Sequence, residues 1–405
     1  MTSPFVLSED SQGIVDWVHE FAEEYMRPIA AKYDELEETP WEFLEQAAEA
    51  GIYSAEFLPE LAAQDESGLL LPAVAEELAW GDAGLCLNIM GSSLAATGIF
   101  ANGTPEQMAK WAPRCYRNDD GGVELACFAA SEPDAGSDVG AIRARAVLDE
   151  ETNEWVLNGT KTWGTNAGVA DVHVIVASVD SSLGTRGQAS FIVPMKSTQG
   201  IYQGQKFQKM GIRSSHTAEI VLDNCRIPAE NVLGGMEKLN ARLEKARRGE
   251  RTSTQAAMST FEATRPVVAA MAVGIARAAY EHALEYAKTR TQFDQEIIRN
   301  QGISFKLAEM ATKVDAARLL VWRASSIARS GQPLLKAEGS MSKLFAGETA
   351  YEVTGDAIQI FGGNGYTREY PVERLHRDSM IFRIFEGTSE IQKLVIARAQ
   401  SGMRV

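Results

Sequence analysis

Several things are scarce in this chain of 405 residues, and each scarcity excludes something. Its four cysteines, Cys86, Cys115, Cys127 and Cys225, are scattered without CxxC spacing. That pattern fits reduced thiols in a cytoplasmic protein better than a disulfide framework or a zinc site. The five histidines form no HExxH or paired spacing, so no metal is expected. The longest uninterrupted apolar run, Val267–Ala276, is too short to cross a bilayer. The start of the chain has no basic region followed by a small-residue cleavage site, so no secretory leader is expected. No GxGxxG follows a strand-like run, and the glycines of FGGNGYT (361–367) have the wrong spacing, which removes a Rossmann dinucleotide site. Basic residues are in deficit, 39 against 55 acids, for a net charge of −16. Such a surface repels nucleic acid and anionic membrane, so neither is expected as a partner.

What is present falls into three regimes of periodicity. Up to about Trp111 the pattern is helical, with Ile14, Val15, Val18 and Phe21 and then Phe43, Ala47 and Ala50 at helical spacing. From about Cys127 to Val232 it becomes strand-like, in the runs Trp155–Leu157, Val172–Ala177, Ser190–Val193 and Ala218–Leu222. Asn158-Gly159 and Asp223-Asn224 read as turns dividing these runs. After Phe261 long helical periodicity returns. Ile303, Leu307, Met310, Val314, Ala317 and Val321 alternate steps of three and four, and a second long helix is expected from about Leu335 to Phe361. Helices, then strands, then helices imply an α+β fold with a separate β domain.

One acidic residue stands out near the end. Glu386 follows the apolar stretch Phe382–Phe385 and precedes Gly387-Thr388-Ser389. Ser389 with Gln392 has the form of a capping box, so a helix is expected to start there, with Ile391, Leu394 and Val395 as its apolar positions. Glu386 then sits on a short loop at a helix entrance. It is either a solvated acid favoured by the helix dipole, or a carboxylate desolvated by its apolar neighbours and so made a stronger base.

Five collinear segments add to this. They are CFAASEPDAGSDVG (127–140), NGTKTWGTNAGVAD (158–171), KMGIRSSHTAEIVLDNCRIP (209–228), FEATRPVVAAMAVGIARAAYEHALEYAKTRTQF (261–293) and QIFGGNGYTREYPVERLHRDSMIFRIFEGTSEIQKLVIAR (359–398). In order and spacing they resemble the acyl-CoA dehydrogenases, and they cover most of the chain. The resemblance implies an N-terminal all-α domain (1–125), a middle β-barrel domain (126–235) and a C-terminal four-helix bundle (236–405).

It also implies FAD as cofactor and Glu386 as catalytic base. Trp163 and Thr165 match residues at the flavin ring. Phe128, Ala130 and Ser131 match flavin neighbours, with Phe128 where many members carry Tyr and Ser131 where Thr is commoner. Gly136 and Ser137 match the junction of flavin and substrate, and Ser137 is also a substrate contact. Arg290 and Phe293 match residues reaching the FAD of a neighbouring subunit, as do Gln359, Gly362 and Gly363; Thr388 and Glu390 join the cofactor set. Glu262, Arg265 and Gly387 match the substrate side, Arg265 as the arginine that orients the active-site loop. Thr264 stands where the branched-chain and long-chain subgroups carry their base, so this chain has the arrangement of the other subgroups. Without the resemblance, Trp163 reads as strand-face packing and 131–138 as an ordinary turn.

The activity so implied is removal of an α proton by Glu386 while the β hydrogen passes as hydride to flavin N5. An acyl-CoA thereby becomes a trans-2-enoyl-CoA, and an electron-transferring flavoprotein takes the electrons. A homotetramer built as a dimer of dimers is expected, because FAD sites would be shared. The alternatives are an oxidase or flavin monooxygenase on the same fold, or a non-catalytic CoA- or flavin-binding subunit. Chain length and branching of the acyl group stay open. The segment Met236–Ser259 departs from the family in length and basicity: Lys238, Arg242, Lys245, Arg247, Arg248 and Arg251 face three acids. It reads either as a solvated helix with i,i+4 charge pairs or as positive potential for CoA phosphates.

Overall fold

The computed structural model describes residues 5–250, 256–332 and 334–403, with backbone alone over 256–263. Seven helices come first: α1 (Glu9–Phe21), α2 (Arg27–Leu36), α3 (Trp41–Glu49), α4 (Phe57–Gln64), α5 (Leu70–Gly81), α6 (Ala83–Asn102) and α7 (Pro105–Trp111). Their starts are written in capping residues. Ser8 accepts from the Ser11 N–H, Asp82 from Leu85, and Thr104 forms a complete capping box with Gln107. α5 and α6 are apolar on nearly every side and form the centre of the molecule. By length and composition alone, Ala83–Asn102 and Thr264–Thr289 could cross a membrane, but most of each lies buried inside the protein, as core helices do.

A curled sheet of seven strands follows: β1 (Ala126–Ala129), β2 (Arg145–Asp149), β3 (Glu154–Thr165), β4 (Val172–Ser178), β5 (Gln188–Pro194), β6 (Ile201–Lys206) and β7 (Thr217–Pro228). β3 and β7 form its long antiparallel ladder, from Trp155 opposite Ile227 to Thr165 opposite Thr217, while β1 lies parallel to β4. Asn158-Gly159 and Asp223-Asn224 are not turns between strands, as their composition suggests. Both are irregularities inside continuous strands: Gly159 has φ 143°, Asn224 has φ 48°, and the Asn224 N–H donates to Asn158 Oδ1 at 2.9 Å. Turn-forming residues supply the left-handed backbone a bulge needs, and local composition cannot tell a bulge from a turn. The bulge lets β3 run on to Trp163 and Thr165.

Past the sheet lie α8 (Gly235–Arg247) and α9 (Ala256–Thr289), the small hairpin β8 (Thr291–Gln292) and β9 (Gln295–Glu296), then α10 (Gln301–Arg329), α11 (Glu338–Phe361), α12 (Val372–Ser379) and α13 (Ser389–Ser401). The three- and four-residue periodicity of α10 is the buried face it suggests, with Leu307, Met310, Val314, Ala317 and Val321 all inside. α11 begins three residues later than expected. α8 is neither a free solvated helix nor an open basic patch. It buries Leu239, Leu243 and Ala246, while Arg242 donates to the Arg186 and Gln188 carbonyls and Arg247 pairs with Asp180 at 3.0 Å. Arg251 lies outside the described residues.

α9 packs against α11 and against α5. At Gly274 the α9 backbone approaches α5 so closely that a Cβ would stand 2.2 Å from the Glu76 carbonyl oxygen. Beside that contact the Glu76 carboxylate takes Arg277 of α9 at 2.9 Å and Arg318 of α10 at 2.7 Å. α12 ties the three regions together: Arg374 meets Asp82 at 3.2 Å, Arg377 meets Asp34 at 2.7 Å, and Asp378 accepts the Ile212 N–H. A Gly274→Val substitution should therefore lower the thermal midpoint by several degrees, since overpacking costs about 1–3 kcal/mol. An unchanged melting curve would mean that α5 and α9 do not approach in this way.

Candidate active site

Glu386 lies on the loop between a 3-10 turn, Met380–Arg383, and α13. The helix cap falls one residue earlier than the sequence suggests. Thr388, not Ser389, is the N-cap and accepts the Ile391 N–H, while the Ser389 hydroxyl donates to Glu348 at 2.7 Å. Gln392 is therefore free of capping duty and reaches back, its amide donating to the Glu386 carbonyl at 3.1 Å and the Gly387 carbonyl at 2.9 Å. Those bonds hold an unusual backbone. Glu386 has φ 54° and Gly387 has φ 89°, so two successive residues are left-handed and the first carries a side chain.

The Glu386 carboxylate accepts from the Thr264 hydroxyl of α9 at 3.0 Å. Lys343 of α11, itself 1% exposed, donates to the Gly387 carbonyl at 2.7 Å. Arg265 is buried beside them and donates to Ser340 at 3.3 Å. Burial raises the pKa of Glu386 to about 7, against the opposing pull of the Thr264 hydrogen bond and the charges of Lys343 and Arg265. Of the two sequence readings, the structure supports the desolvated carboxylate. Gly387 adjoins Glu386 on the same loop; Glu262 lies outside the residues whose side chains the structure describes.

A second group of residues forms at the end of β3. The Thr162 N–H donates to the Ser131 carbonyl at 2.9 Å, which lays the segment after β1 alongside β3. Beneath it a buried ion pair fixes the register: Lys161 donates to Glu132 at 2.7 Å and to the Ala130 carbonyl at 2.9 Å. Glu132 also accepts the Arg143 and Ala144 N–H groups. Trp163, with φ 59°, is 61% exposed and stacks on Phe207 at 4.1 Å, so it is no packed strand residue. Thr165 is half-buried, Gly136 and Ser137 lie on the exposed loop, and Ala130 is buried. Phe128 turns its ring toward α6 at Gly98.

The remaining residues gather at the far end of the bundle. Asn364 donates to the Tyr286 hydroxyl at 2.8 Å, and Tyr286 stacks on Phe361 at 4.0 Å. This brings the end of α9 with Arg290 to the end of α11 with Gln359, Gly362 and Gly363, all exposed. Phe293, at the hairpin tip, is 92% exposed. From Lys343 to Gln359 α11 rises about 24 Å at 1.5 Å per residue. Glu390 is exposed in the first turn of α13. The donor set suits FAD: an open indole and a hydroxyl for the ring, an arginine for the diphosphate, and glycines whose Cβ positions meet nothing within 4 Å at 362 and 363.

Lys161, Glu132 and Lys343 escaped the sequence reading, and Gln392 was read only as a capping residue. For Lys343 a signal exists, since it shares the helical stripe of Ala346, Ala350 and Val353, where a charge has no packing reason to be.

The pKa of Glu386 also has a stability consequence. An acid raised in the fold lets native stability present at low pH be lost as pH rises from its unfolded value, near 4.5, through about 7. Glu386→Gln should thus raise the thermal midpoint at pH 8, by up to about 3 kcal/mol of stability, and leave it nearly unchanged at pH 4. Equal effects at both pH values would contradict the desolvated carboxylate.

Three family descriptions match the chain: acyl-CoA dehydrogenase N-terminal domain over residues 8–119, middle domain over 127–225 and C-terminal domain over 254–401. The short-chain specific acyl-CoA dehydrogenase of Rattus norvegicus mitochondria is 38% identical over 395 residues, covering 96% of this chain and 90% of that protein. The solved butyryl-CoA dehydrogenase of Megasphaera elsdenii is 35% identical with a TM-score of 0.87, covering 98% of this chain and 99% of that one. A chain from the structure described as the electron transferring flavoprotein of Acidaminococcus fermentans has the same TM-score, 0.87, at 36% identity and covers 98% and 99%. With three family domains matched in order and relatives above 30% identity along its length, this chain belongs to the acyl-CoA dehydrogenases, FAD-dependent oxidoreductases of the CH–CH bond.

Proposed function

We propose that the protein converts a short acyl-CoA to the trans-2-enoyl-CoA, with Glu386 as the base that takes the α proton. The observation that carries the reading is the Glu386 carboxyl itself: raised to about 7, oriented by Thr264, and set on a left-handed loop that two buried donors hold in place. A general base works best when its pKa lies near the operating pH, so that it is free yet still basic. Bound FAD supplies the acceptor for the β hydride. Trp163, Thr165, Ser131, Ala130 and Gly136 would hold the ring, with Phe128 behind them and Ser137 where ring and substrate meet. Thr388 and Glu390 complete that side, and Gly387 and Glu262 would touch substrate. Arg265 would keep the base loop oriented. Burial of the acyl chain against the site would expel water and strengthen every charge interaction within it.

The length of α11 favours shared cofactor sites. Arg290, Phe293, Gln359, Gly362 and Gly363 lie together at the end remote from Glu386, and an almost fully exposed phenylalanine at a hairpin tip suits a partner surface. We assign these residues to the FAD of a neighbouring subunit in a homotetramer, a dimer of dimers. Its domains are taken as 1–125, 126–235 and 236–405. The Acidaminococcus similarity supports an electron-transferring flavoprotein as acceptor, and the names of the rat and Megasphaera relatives support a short acyl chain. α8 engages Arg242 and Arg247 with the protein itself, which disfavours it as a CoA phosphate site.

Glu386→Gln should keep the fold and the yellow flavin but lower turnover of four- to six-carbon acyl-CoAs by roughly 10²-fold or more, the usual loss of a general base. Turnover within about tenfold of wild type would remove Glu386 from the role. For the wild-type enzyme, kcat/KM should fall as pH drops through about 7, because protonation removes the base. Arg290→Ala should release FAD and weaken the oligomer together; unchanged flavin content and gel-filtration volume would count against the cross-subunit site.

A further inference from the structure

Helix α11 presents one charged side chain to the base loop and keeps it out of water. Lys343 is 1% exposed, and its ammonium donates to the Gly387 carbonyl at 2.7 Å. One turn on, Gly347 brings the α11 backbone against the same loop, so close that a Cβ would lie 2.7 Å from the Phe382 carbonyl oxygen. The next residue, Glu348, accepts from Ser389 at 2.7 Å and pairs with Arg383 at 2.9 Å. α11 therefore grips residues 382–389 at three points, Lys343, Gly347 and Glu348.

A neutral donor would satisfy the Gly387 carbonyl, and Gln392 already supplies one. Burying an ammonium for that bond alone is costly. Burial lowers the pKa of Lys343 to about 8, with Glu386 the first of the groups opposing that shift, so the lysine is still largely charged at neutral pH. The charge has a better use than a carbonyl. We propose that Lys343 is a positioning residue that fixes the left-handed Glu386–Gly387 pair through its hydrogen bond and, through its charge, sets the pH range in which Glu386 is a free base. This rests on the reading of Glu386 as that base.

Charged groups reach the pair from each element around it. Arg265 comes from α9, Lys343 and Glu348 from α11, Arg383 from the turn before the loop, and Glu390 from α13. Of these, Lys343 and Arg265 act on Glu386, Lys343 the more strongly, and both stabilise its ionised form. Removing the lysine charge therefore leaves Glu386 protonated to a higher pH.

The test compares the rate of anaerobic flavin bleaching by butyryl-CoA across pH 5.5–9.5 in wild type, Lys343→Met, Lys343→Gln and Glu386→Gln. Both lysine variants should move the acid limb upward by about one pH unit, so that they are about tenfold slower below it and regain part of the loss at high pH. A purely structural role would lower the rate equally at every pH and leave the limb in place. An unmoved limb in either flavin-loaded variant would overturn the proposal, and so would loss of flavin from both. Glu386→Gln separates the two claims. If it still bleaches rapidly, the base reading fails; if it does not bleach while the lysine limbs stay put, only the role of Lys343 fails.

Discussion

A carboxylate deprived of water, with cations close by but not bonded to it, is the constraint on which the rest of this site depends. A Lys343–Glu386 ion pair would hold Glu386 in its ionised form and lower its affinity for a proton. The chain avoids that by giving the lysine a carbonyl to bond, the one immediately after the base, so that charge is felt without direct contact. The direct contact is left to a neutral hydroxyl, Thr264. Desolvation then outweighs the stabilising influences, and the Glu386 carboxyl is raised to about 7.

Much of the surrounding architecture serves that balance. The left-handed pair at 386–387 is costly backbone, of order 1–3 kcal/mol for a non-glycine residue, and it persists because Gln392, Lys343 and the α11 face leave it no alternative. α11 in turn is placed by α9, and α9 by α5, through a glycine contact and the Glu76–Arg277–Arg318 cluster. α12, just upstream of the base, is pinned to Asp34, Asp82 and the Ile212 backbone. At the end of β3 the arrangement is the opposite: the buried Lys161 pairs directly with Glu132 and also bonds the Ala130 carbonyl, holding two backbone segments together.

The helical parts were legible because they are written locally, the α10 stripe as a period. Glu386 stood out between an apolar stretch and a helix start, but local composition left a solvated acid and a desolvated carboxylate both open, and only burial by distant segments separates them. The bulges at Gly159 and Asn224 were not, because a turn dipeptide and a bulge ask the same backbone of the same residues, and only pairing with a distant strand decides between them. The cap shifted from Ser389 to Thr388 for a similar reason: Ser389 was claimed by Glu348, far away in sequence. Lys161 was hidden because a buried cation is recognised by its partners, and those lie on other segments; for Lys343 only its place on an apolar helical stripe gave a signal. The α8 arginines were visible as charge, but their acceptors, in the segment between β4 and β5 and at the start of β5, were not.

The measurement that tests the account most directly is solvent deuterium wash-in at the α carbon of butyryl-CoA, followed by mass spectrometry in deuterated water as a function of pH. Exchange in the wild-type protein should rise through about pH 7 as Glu386 ionises, with none above background in Glu386→Gln. Exchange that persists in the variant, or that shows no acid limb in the wild type, would contradict it.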